Sequence, residues 1–109
     1  MASTFNVELS MREPPGEAQE RAATALTEPA RAIGLHLAKH GEGELTYTPR
    51  VTFPLLVSLW HRLNGEKMTV KFEPGAEVGT HVTISGAVPK SKRPMAADSE
   101  RWSEALGGS

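Results

Sequence analysis

The chain has 109 residues, of which 23% are charged and 39% hydrophobic, and its 12 basic and 13 acidic side chains leave a formal charge of −1. That length suits one domain with one modest core, and the even charge leaves no electrostatic footprint for nucleic acid or an anionic membrane. The chain has no cysteine, which excludes disulfides, thiolate nucleophiles and cysteine-ligated zinc or iron–sulfur sites.

The opening MASTFNVELSMREPP lacks the basic start and apolar core of a secretory signal. No run of about 18 apolar residues offers a transmembrane segment. A soluble, cytoplasmic protein is expected. Within residues 4–11, Phe5, Val7, Leu9 and Met11 alternate with polar neighbours, the period of a half-buried strand, and REPPG ends it because prolines cannot continue a ladder. EAQERAATALTEPARAIG follows, rich in alanine and with glutamate near its start, both of which favour helix. Ala22, Leu26, Ala30 and Ile33 form its apolar stripe. Pro29 either kinks this helix or sits in the first turn of a second one, and Gly34 is placed to stop it.

After Gly34 the period changes to two. Leu35 and Leu37 alternate with His36 and Ala38, HGEG supplies a turn, and Leu45 and Tyr47 alternate with Glu44, Thr46 and Thr48. The pattern predicts a hairpin with strands at 35–39 and 44–49. In RVTFPLLVSLWHRLNGE, Leu56, Leu59, Trp60 and Leu63 make a helical stripe opened by Thr52 and Pro54 and closed by Asn64-Gly65, while a buried extended run over 53–60 competes. From Lys67, Met68, Val70 and Phe72 alternate with polar residues; PGAEVG is a loop; Val82, Ile84 and Val88 alternate again, a second hairpin. PKSKRP (Lys90, Lys92, Arg93) reads as a basic, solvated linker over 89–95. MAADSERWSEAL predicts a last helix at about 96–106 with Trp102 and Leu106 on one face, followed by a frayed tail at 107–109.

His36 and His40 are four apart, the spacing of two zinc ligands on a helix. On a strand they would lie roughly 13 Å apart, too far for one ion that needs each nitrogen at about 2.0–2.1 Å. The glutamate of the zincin helix is also missing, since residue 37 is leucine. A surface role for His36, a turn position for His40 and no metal are expected; His61 and His81 read as isolated surface residues. No G-x-S-x-G elbow surrounds any serine, Ser85 falling outward on a strand, and HGEGE lacks the spacing of a phosphate loop. No catalytic residue and no cofactor emerge. Glu66, beside the apolar stretch, is the one acid worth testing for a small enzyme with a pocket carboxylate. FPLLVSLW packs six large apolar side chains into eight residues, suited to a core, a cavity wall, a membrane-surface contact or a homodimer face.

KMTVKFEPGAEVGTHVTISGAV resembles the late hairpin of the START/Bet v 1-like (helix-grip) superfamily. There a strand ends in acidic-Pro, and the next opens with Gly-Thr and alternates Val/Ile with Thr/Ser. VELSMREPPGEAQERA is similar to that superfamily's opening strand, proline turn and first helix, and DSERWSEAL stands where its C-terminal helix belongs. About ten residues are available for that helix, and five strands are read where the superfamily has six or seven; a TATA-binding-protein-like sheet with helices on one face is the simpler alternative. The resemblance implies a hydrophobic cavity between sheet and helices.

The reading is thus a single α+β domain in two layers, an antiparallel sheet of about five strands with helices on one face. Its expected core is Phe5, Val7, Leu9, Leu26, Ile33, Leu35, Leu37, Leu45, Tyr47, Met68, Val70, Phe72, Val82, Ile84, Trp102 and Leu106. The expected function is non-enzymatic binding of an apolar or lipid-like small molecule. Tyr47, Leu56, Trp60, Met68, Phe72 and Trp102 would form the wall, with Tyr47 and a tryptophan N–H fixing orientation. The alternative is a protein–protein module, most simply a homodimer through 53–60.

Overall fold

The computed structural model describes residues 2–49, 66–75 and 79–107. Five strands, β1 (Ala2–Met11), β2 (Leu35–Gly41), β3 (Glu44–Pro49), β4 (Lys67–Pro74) and β5 (Thr80–Pro89), form one antiparallel sheet in the order β1-β5-β4-β3-β2. The expected α+β fold is therefore present. β1 and β2 are the two edges, so the segment joining them must cross the sheet. It does so as two helices, α1 (Pro15–Ala25) and α2 (Thr27–Ala32). The break at Leu26 settles the Pro29 alternative: Pro29 sits in the first turn of a second helix, where its missing N–H has no helical partner to lose. Gly34, at φ 80°, turns the chain out of α2 into β2.

Alternation decides which face of the sheet is apolar. Phe5, Val7 and Met11 on β1, Val82, Ile84 and Val88 on β5, Met68, Val70 and Phe72 on β4, Leu45 and Tyr47 on β3 and Leu35 on β2 are all buried. Ala18, Ala22, Leu26, Ala30 and Ile33 cover them from α1, α2 and the residue that ends α2. Leu9 and Leu37, expected in the core, are only partly buried against it. The opposite face carries Asn6, Glu8, Thr46, Thr69, Lys71, Thr83 and Ser85. On it His81 Nε2 lies 3.3 Å from Glu8 Oε1, an exposed surface pair.

Gly86 lies on the apolar face between Ile84 and Val88, opposite Met68. A Cβ there would overlap the Lys67 carbonyl oxygen and sit 2.8 Å from Met68 Cα. Only glycine lets β4 come this close to β5.

The segment expected to be a solvated linker is ordered secondary structure. Lys90–Lys92 form a 3-10 turn and Arg93–Ala96 a short helix, α3. Its basic side chains reach backbone carbonyls of other elements. Lys92 Nζ donates to Ala32 O (3.3 Å) at the end of α2, and Arg93 Nε donates to Thr4 O (2.9 Å) on the edge strand β1. The last helix, α4 (Ser99–Ala105), begins at Asp98, whose carboxylate accepts from Glu100 N at 3.1 Å. It buries Trp102 completely, and Leu106 just beyond it. The Trp102 indole N–H donates to Ala96 O at 2.7 Å. Arg101 Nη2 donates to Pro29 O at 3.0 Å, joining α4 to α2, and its guanidinium carbon lies 5.4 Å from the Trp102 ring centroid. No helix among the described residues is long and apolar enough to cross a membrane.

One polar contact fixes the hairpin beside the pocket described below. Gln19 is buried on α1, and its side-chain NH2 donates to Gly41 O and, at 3.4 Å, to Glu44 O. Its Oε1 accepts from Gly43 N at 2.9 Å. One amide thus satisfies three backbone groups of the β2–β3 turn. At the same end of the sheet, on β5, Thr80 Oγ1 donates to Glu13 O at 2.8 Å, and the Arg21 guanidinium paired with Glu13 holds that carboxyl below its ordinary value.

Candidate functional site

A pocket of about 430 Å³ opens where α1 and α2 run along the β2 edge of the sheet, lined among the described residues by Ala23, Thr27, Arg31, Gly34, Leu35, His36, Leu37 and Tyr47. Its geometry follows from spacing. Ala23, Thr27 and Arg31 are each four apart and present one strip of α1–α2 beside the buried stripe. Leu35 and Leu37 are two apart on β2, and Leu37 stands opposite Tyr47 on β3. Open space adjoins Gly34, where an added Cβ would meet nothing within 4 Å.

The pocket grades from apolar to charged. Leu35 and Tyr47 are buried at its floor and Leu37 is half-buried, whereas Thr27, Arg31 and His36 are exposed at its rim. Thr27 Oγ1 donates back to Ala23 O at 3.2 Å, which leaves its methyl group as the free part of the side chain. Arg31 Nη1 lies 3.5 Å from Glu28 Oε1, but these side chains are 70% and 79% exposed, so the pair is weak and easily exchanged.

Tyr47 is the unusual member. It is 1% exposed, and its hydroxyl is buried with no hydrogen-bond partner among the described residues. Burial alone pushes its pKa up, from 10.0 to about 12. An orphaned buried hydroxyl is costly and uncommon, and here it belongs to a residue of the pocket wall.

Of the residues expected to line a cavity, Tyr47 is in this pocket. Met68, Phe72 and Trp102 are in the core between sheet and helices, and Trp102 has already committed its N–H to Ala96 O. Leu56 and Trp60, together with the 53–63 stretch, the homodimer face read in it and His61, lie outside the described residues. Glu66 is half-buried just ahead of β4. His36 was read as a solvent-facing residue; it is exposed, and it also forms part of the rim. Arg31, Thr27, Ala23 and Gly34 were not read as site residues at all.

The strand assignment also disposes of the paired histidines. The β2–β3 register shifts between Leu37 and Lys39, so His36 stands opposite Thr48 but His40 opposite Leu45. Thr48 and Leu45 are three apart on β3, which puts the two histidines on opposite faces of the sheet. No group of three or more metal-ligating side chains forms among the described residues.

Comparison of the chain with protein-family models, with characterised proteins and with solved structures finds no match.

Proposed function

We propose that the domain is a non-enzymatic binding module that holds one small apolar or lipid-like molecule in the pocket between α1–α2 and the β2–β3 hairpin. The observation that carries this reading is the pocket itself, about 430 Å³ with Leu35, Leu37 and Tyr47 along its floor. Sites for small molecules run from about 300 to 1,000 Å³, with mostly apolar walls and a few placed polar groups. A kinship with the helix-grip superfamily is part of the proposal. It is supported by a sheet whose two edge strands are joined by a helix pair and whose apolar face also receives the C-terminal helix.

Decanol, an apolar chain with a small neutral head, tests it. Added at about 100 times its dissociation constant, it should raise the unfolding free energy by about 2.7 kcal/mol. Thr27→Trp, which fills the pocket from an exposed rim position, should fold normally and lose that response. An equal response in both proteins would refute the assignment of the pocket.

A further inference from the structure

The two edges of the sheet are built differently. β2 has seven residues, its register shifts between Leu37 and Lys39, and Lys39 is exposed; a bulge and an edge lysine both keep a further strand away. β1 has ten residues and pairs with β5 without a shift from Ala2 to Met11. In an antiparallel ladder each residue turns both of its backbone groups to one side. Met11 O points at β5, because a Cβ on Gly79, the residue just ahead of β5, would overlap it. The odd residues of β1 therefore bond β5 and the even ones face out. Thr4 O agrees, since Arg93 Nε reaches it from outside the ladder at 2.9 Å. The backbone N–H and C=O groups of Asn6, Glu8 and Ser10 are thus turned away from the sheet, and none of them has a partner among the described residues. Their side chains are exposed, and Leu9 between them is only half-buried.

We infer that a second copy of the chain pairs antiparallel with this edge, β1 against β1, and joins the two sheets into one. β1 complements itself in one register, which favours a copy over any other strand. Centred on Leu9, that register sets Glu8 opposite the partner's Ser10, Asn6 opposite the partner's Arg12, and Leu9 against the partner's Leu9. Each Glu8 then has the partner's Arg12 as a diagonal neighbour of opposite charge. The two Glu8 side chains form the other diagonal pair, and each has His81 Nε2 3.3 Å away in its own copy. Centring on Glu8 would set two glutamates directly opposite each other, which is unfavourable. Centring on Val7 would run the partner along Thr4, whose carbonyl Arg93 holds. In the Leu9 register the partner's Pro14 comes opposite Thr4, so the pairing ends where proline has no N–H to offer and Thr4 O has its donor already. Leu9, packed only partly against the core, loses its remaining apolar surface to its own copy. Pairing of like edges about a two-fold axis closes after two copies, whereas β1 against β2 would not close. One added strand pair is a small contact beside the about 1,600 Å² of a standard interface, so the association is weak and grows at high protein concentration.

Sedimentation equilibrium of the full chain from micromolar to millimolar concentration, with amide hydrogen exchange at both ends of that range, tests the pairing. A monomer–dimer equilibrium is expected. The amides of Asn6, Glu8 and Ser10 should gain protection as the dimer forms, while those of Val7 and Leu9, which bond β5 in the monomer, should not change. Glu8→Pro removes an outward N–H that the ladder with β5 does not use, a position where edge strands accept proline. It should leave the circular dichroism of the monomer unchanged and weaken association by about tenfold or more. Ser10→Glu, at an exposed position, needs no backbone change; it sets glutamates opposite each other twice by symmetry and should weaken association by about fivefold. A monomer at every concentration, species larger than the dimer, protection that grows along β2 in place of Asn6, Glu8 and Ser10, or a Ser10→Glu protein that dimerises as strongly as the parent would each overturn the pairing.

Discussion

Replacing Tyr47 by phenylalanine should make the empty protein more stable. The phenol ring is packed in the core and its hydroxyl is buried with no partner among the described residues. Burying a hydroxyl unpaired costs about 1–3 kcal/mol on the scale set by protein mutations. Deleting the oxygen leaves a gap smaller than a methyl group, which returns at most about 1 kcal/mol of that gain. The net expectation is a stabilisation of about 0.5–2 kcal/mol. For 109 residues, an unfolding entropy of about 2.1 cal/mol/K per residue makes 1 kcal/mol worth about 4 °C, so the midpoint should rise by about 2–8 °C. Urea unfolding of both proteins checks it, with an unchanged m-value as evidence that the same surface is exposed. A Tyr47→Phe protein less stable than the parent by about 1 kcal/mol or more would show that the hydroxyl has a partner in the folded state.

Three further expectations follow from the same contacts. Tyr47 is the one tyrosine in the chain, so phenolate absorbance reports it alone; its folded pKa is raised to about 12 from 10.0, so its contribution to stability is fully present below pH 10 and is lost as pH climbs from about 10 to 12, by up to about 3 kcal/mol, a loss absent from Tyr47→Phe. Gln19→Leu removes an amide that serves Gly41, Gly43 and Glu44 and should cost about 1–3 kcal/mol, with faster hydrogen exchange at the Gly43 amide; an unchanged exchange rate would mean the turn holds without α1. Gly86→Ala would drive a methyl group into the Lys67 carbonyl and Met68 Cα, parting β4 from β5, and should cost at least about 3 kcal/mol; a mild loss in a denaturation curve would show that the two strands can shift.

The period-two runs around Phe5, Leu45, Met68 and Ile84 were readable because one buried face of a sheet forces alternation, and the helix pair was readable because Pro29 and Gly34 mark their own positions. The wall of the pocket was not. Pattern reading seeks cavities where large apolar side chains cluster, yet in a domain this small Met68, Phe72 and Trp102 are consumed in closing the core. The void adjoins Ala23 and Gly34, and its rim is made of Thr27, Arg31 and His36, which look like ordinary surface residues in one dimension. The strip of residues four apart at 23, 27 and 31, continuing into Leu35-x-Leu37, was the available signal. The bulge at Ala38 leaves no residue signature, and it reverses the face of His40. Gln19 was invisible for a similar reason: its three partners lie 22 to 25 residues away. The basic 89–95 segment is exposed, as its composition signals, but its short helical turns, and the reach of Lys92 and Arg93 to the carbonyls of Ala32 and Thr4, leave no mark in the sequence.

Where an apolar molecule lands on the domain decides whether the pocket is its binding site. Isotope-labelled protein titrated with decanol and followed by amide chemical shifts answers this in one experiment. Saturable shifts confined to Ala23, Thr27, Gly34 through Leu37 and Tyr47 are the predicted result. Shifts that are absent, or that centre on the opposite face of the sheet at Thr69, Lys71 and Thr83, would contradict it.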